Sequence, residues 1–343
     1  MKIKITLLLL LCTVLILTGC GGSESQPTGP TYKPFVGGTD GVILEFVPQM
    51  PPTTPGAILD GGRSSFSIGI KVTNKGEHDL EPGDFVLSLD GIQPATYGVT
   101  YADLVQPLTD SIQGSKKLLT GETVQGQFSQ IIFEGFSYLD YSYGDWPQNF
   151  NARACYKYQT KSSTPICIAN DVTSVLMDTS SPICRIDGQK TSHNSGGPVQ
   201  ITNVRQMPQG SNRISLMFDV VHRGNGHIFA PTSSPTNCQT SLQNPHRDKV
   251  LVDVYLSDQT ASTTQLICTG GFTGPLTPMQ ATPLTAELML YQGTPRTVTC
   301  TIQETTPSDV QQVLVTDVLF IDLKYNYGQT LPGGFVVKGL GPE

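Results

Sequence analysis

The chain is poor in charge, in tryptophan and in anything that reads as a long helix. Charged residues make up 14% of its 343 positions, and it has a single Trp. It contains no C-x-x-C pair, no H-E-x-x-H segment, no EF-hand loop and no Gly-rich phosphate loop, which removes the common zinc, calcium and nucleotide signatures. No apolar run approaches the roughly 20 residues of a membrane-spanning helix. Basic residues are outnumbered, 21 Lys and Arg against 28 Asp and Glu. A nucleic-acid partner is therefore not expected, since that binding rests on Lys and Arg neutralising phosphates. No cofactor and no metal are expected either.

Glycine and proline are abundant, at 35 and 25 residues. Low charge with many turn formers suits an extracytoplasmic β-protein. The start of the chain agrees. Met1-Lys2-Ile3-Lys4 is a short positive segment, and the apolar run from Leu7 to Leu17 is broken only by Cys12 and Thr13. That length fits a signal peptide better than a span. Leu17-Thr18-Gly19-Cys20 follows and resembles the lipobox of prokaryotic lipoproteins. The resemblance implies export, loss of residues 1–19 and lipidation of Cys20, with anchorage to a membrane or envelope surface. Acyl chains contribute about 0.8 kcal/mol per buried CH2, enough for a stable anchor. Residue 22 is Gly, so the Asp of one bacterial inner-membrane retention signal is absent. From Cys20 to residue 36 the chain reads as a flexible tether, with no apolar residue between Gly21 and Pro30 to join a core.

Of the eight cysteines, Cys12 leaves with the leader and Cys20 takes the lipid. The remaining six are Cys155, Cys167, Cys184, Cys238, Cys268 and Cys300, an even set that points to disulfides in an exported chain. Residues 155–167 read as two short strands around a polar turn near Lys161, which would pair Cys155 with Cys167. Cys268 and Cys300 both sit in strand-like segments and are expected to pair, leaving Cys184 with Cys238. Zinc is disfavoured because no His has ligand spacing to a Cys.

Period two dominates the rest. Phe66, Ile68, Ile70 and Val72 alternate with polar or small residues, as do Ile214, Leu216, Phe218 and Val220, and Leu319, Ile321, Leu323 and Tyr325. Such alternation predicts half-buried antiparallel strands. Further strands are expected at 42–46, 85–89, 123–133, 250–256 and 286–291. Short helices fit best at 101–112 or 308–313. A weak repeat is visible: Val42-Ile43-Leu44-Glu45-Phe46 and the strand from Phe66 match Val199-Gln200-Ile201-Thr202-Asn203 and the strand from Ile214. Each copy later reaches a strand bearing Tyr and Lys, Tyr156-Lys157-Tyr158 and Lys324-Tyr325-Asn326-Tyr327. The reading is an all-β chain of two β-sandwich domains, 37–175 and 176–343.

Val72-Thr73-Asn74-Lys75-Gly76 with the later Leu119-Thr120-Gly121-Glu122 resembles immunoglobulin-like modules of the CARDB type. The Cys155-Tyr156-Lys157-Tyr158 segment is similar to one in archaeal surface lipoproteins. These resemblances imply tandem immunoglobulin-like sandwiches at a cell surface and no catalytic residues.

Chemistry is sparse. Asn194-Ser195-Gly196-Gly197-Pro198 looks like the nucleophile segment of trypsin-like proteases, but His193 and Asn194 stand where Gly and Asp belong, and no base segment exists. His222 and His227 flank a Gly-Asn-Gly turn and read as ordinary loop residues. The richest stretch is 136–150, with six aromatics including Trp146. Tyr138, Tyr141, Tyr143 and Trp146 are the ligand-binding candidates, because flat faces stack on sugars or peptides; packing at a domain seam is the competing reading. The expected function is a non-enzymatic, membrane-anchored surface lipoprotein, structural or adhesive, with a protein or envelope partner. The alternative is a carbohydrate- or solute-binding lipoprotein serving a transporter.

Overall fold

The computed structural model describes residues 33–177, 184–231, 235, 238–257, 264–274, 283–304 and 314–342. The signal segment, the anchor at Cys20, most of the tether and the short helix expected at 308–313 lie outside them. Strands dominate, as the alternation predicts. In chain order they are β1 (Val42–Phe46), β2 (Ile58–Leu59), β3 (Phe66–Asn74), β4 (Phe85–Asp90), β5 (Val105–Pro107), β6 (Lys116–Lys117), β7 (Thr123–Val124), β8 (Phe128–Phe136) and β9 (Trp146–Ala169). A single helical turn and a half, α1 (Val172–Met177), follows. Then come β10 (Gly188–Gln189), β11 (His193–Asn194), β12 (Val199–Pro208), β13 (Arg213–His222), β14 (His227–Phe229), β15 (Lys249–Leu256), β16 (Thr264–Cys268), β17 (Leu284–Met289), β18 (Arg296–Glu304) and β19 (Leu314–Lys338). The helix expected at 101–112 is absent: β5 and turns occupy it. The strand expected at 123–133 is split into β7 and β8.

One large sheet runs β17-β15-β19-β9-β4-β5. Two smaller sheets, β1-β3-β8 and β10-β12-β13-β18-β16, supply the facing layer, and all three contribute to one core. The inward residues are those the alternation named: Ile68, Ile70 and Val72 of β3, Leu216, Phe218 and Val220 of β13, and Leu319, Ile321 and Leu323 of β19 are all buried. The two repeat copies take the same order, β1-β3-β8 against β4-β9 and β12-β13-β18 against β15-β19.

The expected boundary near residue 175 does not separate two contact units. Pro34–Glu343 form one compact unit, because β9 and β19 pair antiparallel along their lengths, from Trp146↔Val337 to Ala169↔Leu314. At the middle of that ladder Tyr156 lies opposite Tyr327 and Tyr158 opposite Tyr325, all buried. Each hydroxyl has a partner. Tyr156 accepts the Val42 N–H at 3.3 Å, Tyr158 donates to the Gly196 carbonyl at 3.3 Å, and Tyr325 bonds Thr160 Oγ1 at 2.8 Å. Tyr327 bonds His222 Nε2 at 3.0 Å and accepts the Gly226 N–H at 2.7 Å. Burial raises all four hydroxyl pKa values, that of Tyr327 to about 12.

This continuous strand corrects the cysteine pairing. No turn exists at Lys161; Thr160, Ser162 and Thr164 turn their side chains into the buried layer, so a polar run that reads as a turn is strand interior. Cys155 and Cys167 are thus both in β9, about 40 Å apart at 3.3 Å per residue. A disulfide needs Cα atoms within about 7 Å. The bonded pairs are Cys155–Cys238, Cys167–Cys184 and Cys268–Cys300, with Cα separations of 5.6, 5.9 and 3.9 Å. The Cys268–Cys300 expectation holds; the other two partnerships do not.

Candidate functional site

The aromatic stretch 136–150 divides between core and surface. Phe136 stacks on Phe66 with ring centres 5.5 Å apart, Tyr138 meets Tyr97 edge-on at 5.5 Å, and Phe150 meets Phe46 edge-on at 5.7 Å. These rings seal one end of the sandwich. Tyr138 is therefore a packing residue and leaves the candidate set. Tyr143 is 92% exposed and Trp146 52%, with Tyr141 similarly open. These three border the C-terminal end of β19: Trp146 pairs with Val337, and the Tyr143 ring lies beside Gly341.

A buried carboxylate that sequence reasoning missed holds this end together. Asp60 has no exposed surface. Its Oδ2 accepts the Ser142 N–H at 3.0 Å and the Gly341 N–H at 3.1 Å, and Oδ1 pairs with Arg63. The Ser142 N–H lowers its pKa most; burial opposes, and the backbone of Leu340 and Gly341 and the Arg63 charge lower it further. One side chain thus joins three segments far apart in sequence. Gly61 and Gly62 follow with φ of 62° and 73°, a conformation that favours glycine. Their N–H groups donate to the Asp140 and Tyr138 carbonyls at 2.9 and 2.7 Å. The Tyr141 ring packs on Gly61, and the Arg63 guanidinium lies 5.7 Å from its centre. The signal available in sequence was Asp60-Gly61-Gly62, a turn whose Asp could reach backbone N–H groups. Lys338 and Asp145, 4.0 Å apart, add opposite charges at the rim. Flat rings, a cation and a carboxylate on a braced loop can stack on and orient a polar partner.

A second, solvent-open depression of about 660 Å³ includes Glu77, His78, Asp79, Asp84 and Lys161. Its carboxylates serve the fold. Glu77 accepts the N–H groups of Val36, Gly37 and Gly196 at 3.0, 2.9 and 2.7 Å. Asp79 binds the Gly114 N–H and Lys116, and Asp84 binds Lys157. His78 meets Tyr158 edge-on at 5.3 Å. Burial depresses its pKa; Asp84 and Asp79 oppose this, and Lys161 adds to it. Ser195 is buried, its Oγ accepting the Lys161 N–H at 2.8 Å, so the protease-like motif is packing. Gly197 lies so close to Thr160, Tyr158 and Tyr325 that a side chain there would collide with them. No group of three or more His, Cys, Asp or Glu is arranged to hold a metal among the described residues.

No known family model matches the chain, and no curated protein is similar to it. Among solved structures it aligns with the GH31 α-xylosidase of Xanthomonas citri at 7% identity and a TM-score of 0.16, covering 88% of this chain and 28% of that one. It thus spans less than a third of that enzyme. It also aligns with an infectious bursal disease virus structure (Gx strain) at 12% identity and a TM-score of 0.14, covering 84% of each chain. The VP2 subviral particle of that virus aligns at 11% identity and a TM-score of 0.14, covering 85% of each. At these scores the alignments carry no argument about fold or activity.

Proposed function

We propose that this chain is an exported, non-enzymatic surface lipoprotein, anchored through lipid on Cys20, whose β-sandwich body presents the aromatic end to a protein or envelope partner in a structural or adhesive role. Its sandwich modules are taken as immunoglobulin-like. The observation that carries the reading is the exposed set of Tyr141 and Tyr143, on a loop braced by Asp60, and Trp146 at the start of β9. A rigid loop loses little entropy on binding, so exposed rings there contribute most of their contact area to affinity. Binding of the mature protein to isolated cell envelopes tests it. Trp146→Ala with Tyr143→Ala is expected to weaken binding about tenfold or more. Undiminished binding by this folded variant would remove the aromatic end from the proposal. Cys20→Ser is expected to release the protein into the medium and abolish labelling by a fatty-acid probe.

The neighbouring Arg63, Asp145 and Lys338 support carbohydrate or solute binding as the second reading. A glycan-array signal lost on Trp146→Ala would favour it over a protein partner.

A further inference from the structure

The two halves match down to single residues around the tyrosines of β9 and β19. Val42, whose N–H reaches the Tyr156 hydroxyl, matches Val199 in the sequence repeat, and Tyr156 matches Tyr325. His78 lies edge-on to Tyr158, and His222 lies edge-on to Tyr327. Applied along the strands, this correspondence places Leu44 with Ile201 and Thr330 with Lys161.

It fails along one side of the sandwich. In the second half the backbone edges of β12 and β9 are strapped together by two residues. The Asn194 amide donates to the Ile201 carbonyl and accepts its N–H, both at 2.9 Å. The Ser195 N–H donates to the Lys161 carbonyl, and its Oγ accepts the Lys161 N–H, both at 2.8 Å.

Among the described residues the first half has no such strap. Gly41 and Val47 bond toward β3, so the ladder alternation turns the backbone of Leu44 away from it. Lys157 bonds toward β4, which by the same alternation leaves Tyr156 and Ala154 to bond β19 and turns Thr330 to the outside. Among the described residues, neither the Leu44 nor the Thr330 backbone has a hydrogen-bond partner on that side. Both line a solvent-open groove of about 330 Å³ with Gly224, Gly226 and Tyr327. The segment corresponding to the strap is committed elsewhere: the Val36 and Gly37 N–H groups bind Glu77, and the Gly38 carbonyl accepts from Gly197 and Gln200.

Open edges are templates for added strands, and folded proteins commonly block them. Pro332 blocks the next outward position of β19, which confines any added segment to a short stretch around Thr330. We propose that this groove binds a short extended segment of a partner polypeptide, bridging Leu44 and Thr330 as Asn194 and Ser195 bridge Ile201 and Lys161. The strap states the chemistry: an amide side chain to pair both backbone groups of Leu44, then a small hydroxyl residue for Thr330, then glycine to pass the crowded centre. The inference rests on the partner-binding reading but on a different surface, so it and the Trp146 experiment fail separately.

The test uses the intact mature chain and a synthetic peptide copying residues 188–198. Hydrogen exchange at the Leu44 and Thr330 amides is expected to slow about tenfold or more on peptide addition. A peptide with Ala in place of the Asn and Ser should give no protection. Thr330→Pro removes the edge N–H at a position where proline is tolerated, and should weaken binding about tenfold with the melting temperature retained. Absence of protection at both amides at about 1 mM peptide, a limit of roughly 4 kcal/mol, overturns the proposal. So does equal protection by the Ala peptide, or protection confined to Ile201 and Lys161. If Thr330→Pro does not fold, the wild-type exchange and the Ala peptide decide.

Discussion

The second half carries the strap at Asn194 and Ser195 and an internal disulfide, Cys268–Cys300, and Cys184 ties it to Cys167 of β9. The first half has no disulfide among β1–β8; its far end is held by Asp60, and the edges at Leu44 and Thr330 stand open. Both halves nevertheless share strand order and the tyrosine contacts where β9 meets β19. Burial explains what is common. A hydroxyl at the centre of the sheet has no water to fall back on, so its partner must be retained in each copy. A loop or an edge at the surface has water as an alternative partner, and there the copies are free to differ. The exposed rings belong to the half without internal disulfides, and the open groove lies where its β1 meets β19.

Two disulfides join β9 to the second half, and Cys155–Cys238 is the longer-range one, with a sequence separation of 83. Replacing both of its cysteines by Ala is expected to cost the most in stability, about 4.5 kcal/mol in the chain-entropy account. Removing Cys167–Cys184, with a separation of only 17, should cost about 3 kcal/mol. Denaturant unfolding of the two double variants measures the difference. A larger loss from the short bridge would mean that packing around Cys184, rather than chain linkage, sets the stability.

Asn194→Ala converts the strapped half into a likeness of the open one. It leaves the Ile201 N–H and C=O without their partner, a loss of about 2 kcal/mol. Exchange at Ile201 should accelerate, while Leu44 on the other half is unchanged. If Ile201 stays protected, β12 does not depend on the strap, and the contrast between the halves loses its meaning.

Much of this was legible in the sequence. Alternation named the buried faces of β3, β13 and β19, because one-sided burial imposes period two directly on residue type. The repeat was legible because both copies bury equivalent strands. The fusion of the halves was not: Lys161-Ser162-Ser163-Thr164-Pro165 has turn composition, and only the presence of β19 alongside makes it a strand. The same turn-like composition makes Cys155 and Cys167 look like hairpin partners, although one strand carries both. Of the aromatic candidates, Tyr138 could not be told from Tyr141, since ring content does not reveal which way a loop faces. Asp60 was hidden because its partners, Ser142 and Gly341, lie 82 and 281 residues away.

The finest comparison concerns the two histidines that meet corresponding tyrosines. His78 lies edge-on to Tyr158 and His222 to Tyr327, both at 77°. Burial holds both below the ordinary 6.5; His227 lowers His222 further, while Asp248 opposes. A folded-state value below the unfolded one means the unfolded chain binds the extra proton first. Stability is then full above pH 6.5 and falls as pH drops through 6.5 toward the folded-state values. The two sites differ in what protonation breaks. Neutral His222 Nε2 can accept the Tyr327 proton; the charged ring can only donate, so protonation reverses this bond onto an oxygen that already accepts the Gly226 N–H. His78 is flanked by Asp79 and Asp84, which moderate its charging. Melting temperature between pH 7.5 and 5 should therefore fall less steeply in His222→Gln than in the wild type, with a smaller flattening in His78→Gln. Identical pH profiles for the wild type and His222→Gln would show that the second-half histidine does not govern the acid response.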